Sequence, residues 1–328
     1  MRILDALAMR PLDRPPVWFM RQAGRYLPEY MDLRKVHTFQ ESIHRPDIAA
    51  EITLQPMRRF DLDAAIIFSD IMTPLEGMGI HVDFNPGPSL EPMTLAEVAN
   101  VPPFDVEKVS FVGESIARVR SSLDPSRAVI GFAGAPFTLL CYLLEGGGSK
   151  DFVAARSAIA ADRELATRAL HRLAEAQRAY LEMQIAAGAD LVQLFDSWAG
   201  VLSYQGLRDL AFPAARTALE SLPAPTIYFA QAASHGWSDI RSVRATAYGL
   251  DWRVPLDVAW DTIGTDVPVQ GNLDPAILRS SPAVIIAAVE EILAQAKGRP
   301  GHIFNLGHGI NKDTPIANVE AMIAAVRS

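Results

Sequence analysis

Residues 16–37 read PVWFMRQAGRYLPEYMDLRKVH. The apolar run 16–20 predicts a strand, and its end delivers Arg21, Gln22, Ala23, Gly24 and Arg25 into a turn. Each guanidinium carries five N–H donors in a fixed fork that matches a carboxylate or phosphate. Arginine is also common on solvated loops. The stretch alone therefore supports either an anion-reading turn or an ordinary surface loop. The remainder of the chain bears on that choice, because it repeats the same layout seven more times.

Apolar runs of strand length recur at 64–68 (AAIIF), 128–132 (AVIGF), 191–195 (LVQLF), 226–230 (TIYFA), 247–251 (AYGLD), 268–273 (PVQGNL) and 302–306 (HIFNL). Helical stretches separate them, among them 46–60, 151–188, 204–222 and 282–297. In the third, Leu207, Leu210, Ala211, Ala214 and Ala218 fall at helical spacing. Near-continuous apolar strands alternating with amphipathic helices predict a parallel sheet covered by helices. Eight such units in one chain predict an α/β protein built as a single (β/α)8 TIM-type barrel over residues 1–328. The competing architecture, a doubly wound open sheet, lacks its Gly-x-Gly-x-x-Gly turn after the first run. Residues 71–127, with Pro74, Pro86, Pro88, Pro92, Pro102 and Pro103, predict an irregular excursion with hairpin pieces and one helix at 106–122. The glycines of Glu145-Gly-Gly-Gly-Ser149 read as a helix boundary rather than a lid.

The chain has 328 residues, 49% of them hydrophobic and 21% charged, enough to bury a large core. A net charge of −8 argues against a nucleic-acid partner. Residues 21–59 run against that balance, with seven Lys/Arg to five Asp/Glu, so an anionic small molecule is drawn there. The single cysteine, Cys141, excludes an internal disulfide and a multi-cysteine zinc site, and fits a reducing cytoplasm. No run approaches the ~18 apolar residues of a membrane span. The opening MRILDALAMR predicts a short amphipathic helix with Ile3, Leu4 and Leu7 on one side, not a signal peptide.

In such a barrel the chemistry gathers at the carboxyl ends of the strands. Those ends carry Arg21 and Arg25; Ser69-Asp70; Ala133-Gly134-Ala135-Pro136 with Tyr142 beyond; Asp196-Ser197-Trp198; Gln231 and His235; Asp251-Trp252; Asn272 and Asp274; and Gly307-His308-Gly309. Two arginines, several carboxylates, hydroxyls and a histidine predict a polar pocket for a ligand with anionic groups and hydrogen-bond donors. Each member also has a plainer reading. Asp70 and Asp196 stand where an aspartate caps a helix, and Asp251 and Trp252 where side chains pack the barrel top. Ser197 lacks the Gly-x-Ser-x-Gly elbow of a hydrolase nucleophile, and no histidines pair at metal-ligand spacing.

The motifs FMRQAGRYLPEY (19–30), FSDI (68–71), GFAGAPFTLLCYLLEGGG (131–148), FDSWAG (195–200), GNLDP (271–275) and NLGHG (305–309) together resemble the uroporphyrinogen decarboxylase family, in order along essentially the whole chain. The resemblance implies a cytoplasmic homodimer with no cofactor and no metal. It implies uroporphyrinogen III as substrate, four of whose acetates become methyls with loss of four CO2. Carried onto this sequence, it assigns substrate carboxylates to Arg21 and Arg25, with Gln22, Ala23 and Gly24 between them. It assigns the central carboxylate to Asp70, hydroxyls to Tyr142 and Ser197, a histidine to His308, and apolar walls to Phe132 and Phe195. Asp70, Arg21, Arg25 and Tyr142 are the catalytic candidates. The glycine-rich turn usual after the fifth strand is here Gln231-Ala232-Ala233-Ser234-His235-Gly236.

These residue types suit that chemistry. A carboxylate offers about four lone-pair positions, so Asp70 suits four pyrrole N–H groups turned to one side of a puckered macrocycle. Protonating a pyrrole carbon makes a cation that accepts the electrons released with CO2, so the substrate supplies a sink that other decarboxylases take from a cofactor. For proton delivery, His308, which ordinarily titrates near neutrality, and the Tyr142 hydroxyl stand beside Arg21, whose high pKa makes it a poor acid. We place Arg21 nearest to proton delivery and Arg25 as the carboxylate clamp. Two other readings compete: a zinc-dependent corrinoid or thiol methyltransferase, and a non-catalytic tetrapyrrole-binding protein without need of a central aspartate.

Overall fold

A computed structural model describes residues 1–84 and 87–328; Asn85 and Pro86, within the proline-rich excursion, lie outside the described residues. Seven parallel strands form one curled sheet in chain order: Ala64–Ile66, Ala128–Gly134, Leu191–Asp196, Thr226–Ala230, Ala247–Gly249, Val269–Gln270 and His302–Ile303. The strands are buried on both faces, as a sheet wrapped in helices requires.

The first predicted strand is reduced to a bridge between Val17 and Phe304. It nonetheless closes the barrel, because side chains replace the missing rungs. Asp63 N donates to Val17 O at 2.9 Å, and Asp63 Oδ2 accepts from Val17 N at 2.8 Å. Gln22 accepts from Phe19 N and donates to Ala64 O (3.1 and 2.9 Å), while Asn305 Oδ1 accepts from Met20 N at 3.0 Å. Buried backbone groups need partners, and here glutamine and asparagine amides supply them.

Gln184 does the same from a helix. Its amide oxygen accepts from Phe132 N and its nitrogen donates to Phe132 O, both at 2.9 Å. This occurs where the neighbouring strand Ala64–Ile66 has already ended. Any Cβ on Gly131 would lie 2.6 Å from Gln184 Oε1, which explains a glycine inside this strand.

The helices depart from expectation at their breaks. The stretch 151–188 is two helices, Val153–Ala161 and Arg163–Ala186, because Asp162 leaves helical geometry and accepts from Leu165 N. The stretch 204–222 contains a π-helical turn at Leu207–Ala211 just before Pro213. A proline ring crowds the carbonyl four residues back, and the wider turn relieves it. Within the excursion, Asp83–Phe84 and Pro88–Ser89 form an antiparallel ribbon, and the expected helix runs as a 3-10 turn, Val106–Val109, followed by Ser110–Ser122. Gly146, with φ +75°, ends the helix Pro136–Glu145, as a helix boundary should. The opening helix, Arg2–Leu7, buries Ile3 and Leu7.

Candidate active site

A cavity of about 470 Å3 opens at the carboxyl ends of the strands. Arg21, Ala23, Gly24, Arg25, Asp70, Phe132, Tyr142, Phe195, Ser197 and His308 all line it. Ten of the eleven predicted substrate-facing residues thus meet in one place. The exception is Gln22. Its side chain is fully buried in the barrel wall, committed to Phe19 N and Ala64 O, and serves the seam rather than the cavity.

The turn 21–25 is shaped by close approach. Arg21 has φ +63°, a left-handed conformation unusual for a side chain with a Cβ. Gly309 passes so near that its own Cβ would lie 2.5 Å from Arg21 Cδ. Gly24, at φ +72°, lies against the Phe68 ring, which would stand 2.1 Å from an added Cβ. Phe68 in turn packs edge-on against Tyr30 and Phe39. The glycines therefore let the arginine turn lie directly on the hydrophobic rim.

Arg25 is half-buried, and its Nε has no hydrogen-bond partner among the described residues. Burial, aided by neighbouring Arg21, lowers its pKa to about 10. A desolvated guanidinium with an idle donor is set for an anion. Arg34, at the end of the helix Pro28–Arg34, also lines the cavity, with its guanidinium 6.0 Å from the Phe39 ring.

Asp70 faces this positive side. Its Oδ1 accepts from Met72 N at 2.9 Å, just before the helix Thr73–Gly77. Asp70 lines the cavity but does not cap that helix as its position suggested: Met72 holds the N-cap, without a side-chain cap, and Asp70 only turns the chain into it. Burial raises the carboxyl to about 6, against the lowering effects of the Met72 N–H and Arg21. Burial also raises the Tyr142 hydroxyl above its ordinary value.

His308 differs from expectation. Burial, together with Arg21, Arg25 and Arg253, pushes its pKa down to about 4. At neutral pH the ring is neutral, with one donor and one acceptor nitrogen, and it holds no proton to give as an imidazolium. Its ring stacks on Trp252 at 6.3 Å and 19°, and Arg253 covers Trp252 at 4.2 Å. Asp251, fully buried, pairs with Arg253 at 3.1 Å and accepts from Arg253 N. Asp251 and Trp252 thus pack the barrel top and support His308 from behind.

The floor is apolar. Phe132 and Phe195 meet edge to face at 5.6 Å and 85°, and Phe195 meets Phe229 at 6.1 Å. Phe229, Phe39, Phe68, Phe84 and Arg34 line the cavity without being assigned to it from sequence, and Ser69, named there only at its strand end, lines it too. Phe68, Ser69 and Phe229 carried a usable signal, since they stand at strand ends. Arg34, Phe39 and Phe84 carried none, because their approach depends on how the 28–44 helices and the ribbon fold over the mouth.

Other strand-end residues are structural. Asn272 Nδ2 donates to Asp251 O and Val254 O (2.9 and 2.8 Å). Asp274 caps the turn Pro275–Arg279. His235 is exposed and contacts Leu202 O, within a loop that continues as the 3-10 helix Ser234–Val243. Among the described residues, no three His, Cys, Asp or Glu side chains gather as a metal site, and no helix is long and apolar enough to cross a membrane.

The chain is similar to known proteins along its length. It is 44% identical over 319 residues to the uroporphyrinogen decarboxylase of Carboxydothermus hydrogenoformans, covering 95% of this chain and 91% of that protein. It is 43% identical over 331 residues to the uroporphyrinogen decarboxylase of Geobacter metallireducens, covering 99% and 97%. Among solved structures, a methyltransferase from Methanosarcina mazei superposes with a TM-score of 0.83 at 21% identity, covering 99% of this chain and 97% of that one. At that identity the likeness speaks for the barrel fold alone. The family model described as uroporphyrinogen decarboxylase (URO-D) matches residues 1–328, and the chain belongs to that family.

Proposed function

We propose that this protein decarboxylates uroporphyrinogen III to coproporphyrinogen III, releasing four CO2. The observation that carries the reading is the polarity of the cavity. One half-buried carboxylate, Asp70, opposes Arg21, Arg25 and Arg34 across an aromatic floor. The substrate has the complementary layout, with pyrrole N–H donors at its centre and carboxylates at its rim.

In this reading Asp70 accepts from the pyrrole N–H groups, and its charge stabilises the cation formed when a pyrrole carbon is protonated. A carboxylate already in place when that charge develops is electrostatic preorganisation. Arg25 clamps a rim carboxylate and Arg21 lies nearest to proton delivery. Tyr142, Ser197 and a neutral His308 hydrogen-bond the remaining carboxylates. Phe132 and Phe195 hold the ring face. Once CO2 leaves, the electron pair passes into the pyrrole cation; the exocyclic methylene then takes a proton to become the methyl and the ring carbon gives back the proton it first received, so one proton is consumed for each CO2 released. The substrate is its own electron sink, so the reaction proceeds without a cofactor. We further propose a cytoplasmic homodimer, to be checked by sedimentation equilibrium of the purified protein.

The zinc methyltransferase reading has no ligand set to support it among the described residues. The test against a mere tetrapyrrole binder is anaerobic incubation with uroporphyrinogen III, without added metal or cofactor, and chromatography of the oxidised products. Stepwise appearance of seven-, six-, five- and four-carboxylate porphyrins is expected. Bound but unchanged substrate overturns the catalytic reading.

A further inference from the structure

A second aspartate stands at a strand end and takes no direct part in the cavity. Asp196 closes the strand Leu191–Asp196 and is fully buried. Its Oδ1 accepts from Thr138 Oγ1 at 2.7 Å, and its Oδ2 accepts from Tyr228 OH at 2.8 Å. Thr138 Oγ1 in turn accepts from Trp198 N at 3.2 Å, which directs the threonine proton toward Asp196. Both carboxylate oxygens are thus engaged by hydroxyls, each from a different element.

The two elements differ in what they carry. Thr138 lies on the helix Pro136–Glu145, one turn before Tyr142. Trp198 follows Ser197 in sequence, and its ring meets Tyr142 at 6.1 Å and Phe152 at 4.6 Å. The chain of contacts Asp196–Thr138–Trp198 therefore joins the helix of Tyr142 to the turn of Ser197. Tyr228 lies on the strand Thr226–Ala230 and packs against Phe212, away from that link.

A buried carboxylate without a cationic partner is costly, and the two hydroxyls offset only part of that cost. We propose that Asp196, acting through Thr138, is a positioning residue that sets the Tyr142 and Ser197 hydroxyls relative to each other across the cavity. The inference rests on the reading of Tyr142 and Ser197 as substrate-facing groups.

Three variants separate positioning from plain stabilisation. Thr138→Val removes the hydroxyl on the Tyr142 side, Thr138→Ser restores it, and Tyr228→Phe removes an equivalent hydrogen bond on the other side. Turnover is measured per folded molecule, well below each variant's melting temperature. Loss of about tenfold or more is expected for Thr138→Val, with Thr138→Ser and Tyr228→Phe staying within about threefold of wild type. If Thr138→Val does not fold, Asp196→Asn takes its place, since the amide keeps the shape but cannot accept from both hydroxyls. Equal turnover in Thr138→Val and Thr138→Ser, or equal loss in Thr138→Val and Tyr228→Phe, overturns the inference alone. A wild type that does not decarboxylate overturns the reading of the site, and this inference with it.

Discussion

The two ends of the barrel treat charge in opposite ways. At the amino ends of the strands, carboxylates are matched. Asp63 accepts from Val17 N and from both terminal nitrogens of Arg14 at 2.8–3.1 Å. Asp190 accepts from Val129 N at 2.7 Å and Arg120 Nη1 at 3.0 Å. Thr226 and Thr246 exchange hydroxyl and backbone hydrogen bonds at 3.0 and 3.1 Å. At the carboxyl ends, Arg25 and Asp70 are half-buried beside the cavity with donors and acceptors to spare. The first arrangement closes the strands into a barrel. The second leaves charge for a ligand to satisfy, at a cost to the empty fold. In a barrel, polar groups at the bottom serve stability and those at the top serve chemistry; here Asp251 and Asp196 at the top are matched as well, and lack of partners is what sets Arg25 and Asp70 apart.

The largest effect expected is at the top. Asp70→Asn keeps the Met72 contact and the shape but removes the charge, and should lower turnover about a hundredfold or more. Steady-state assay of the anaerobic reaction measures this, and near-normal turnover breaks the proposed division. The mirror experiment is Asp63→Ala at the bottom. It strands Val17 N and Arg14, and should cost about 2–3 kcal/mol in denaturant unfolding. Turnover per folded molecule should not change. A variant that loses turnover and keeps its stability would show that the bottom is not merely structural.

A smaller loss is expected of Arg25→Lys. The ammonium cannot make the bidentate contact, and the burial that lowers the arginine favours a neutral lysine more strongly. KM should rise about tenfold with a lesser change in kcat, as loss of a carboxylate clamp demands.

The smallest effect concerns pH. The folded Asp70 carboxyl titrates at about 6, above its ordinary 3.8. Its ionised form is therefore disfavoured by folding. Between about 4 and about 6 the folded state binds the extra proton, so stability falls as pH rises through that window. Turnover moves the other way, increasing as Asp70 ionises near pH 6. At pH 7–8, Asp70→Asn should raise stability by about 1 kcal/mol while abolishing most activity. A variant less stable than wild type at that pH would mean that the charge is compensated in the free protein.

Much of this was legible in the chain, for reasons that can be traced. Strand runs such as AVIGF and LVQLF are near-continuously apolar because both faces of a wrapped sheet are buried, and that requirement is local. The first run, PVWFM, also reads as a strand, yet forms only a bridge at Val17. Its missing rungs come from Gln22, Asp63 and Asn305, and no local pattern announces a glutamine that bonds 42 residues away. The same remoteness hid the role of Gln22, whose place between two cavity arginines suggested a ligand contact.

The sequence by itself determined the repeating strand–helix order, the side of the barrel on which Arg21, Arg25, Asp70 and His308 would stand, and the motifs that carry the family likeness. Each follows from neighbours in the chain: periodicity, strand ends, and the glycines at 24 and 309. Only the tertiary structure decided which polar groups were left free and which were spent. Asp70 and Asp196 follow apolar runs alike, and burial lifts both to about 6. Asp196 meets Thr138 and Tyr228, 58 and 32 residues away, whereas Asp70 meets only a local N–H and the open cavity. His308 is pushed down to about 4 by burial first, and then by Arg21, Arg25 and Arg253 from other segments. A side chain's partners and dielectric are properties of folded neighbours, and those neighbours are chosen by packing across the whole barrel.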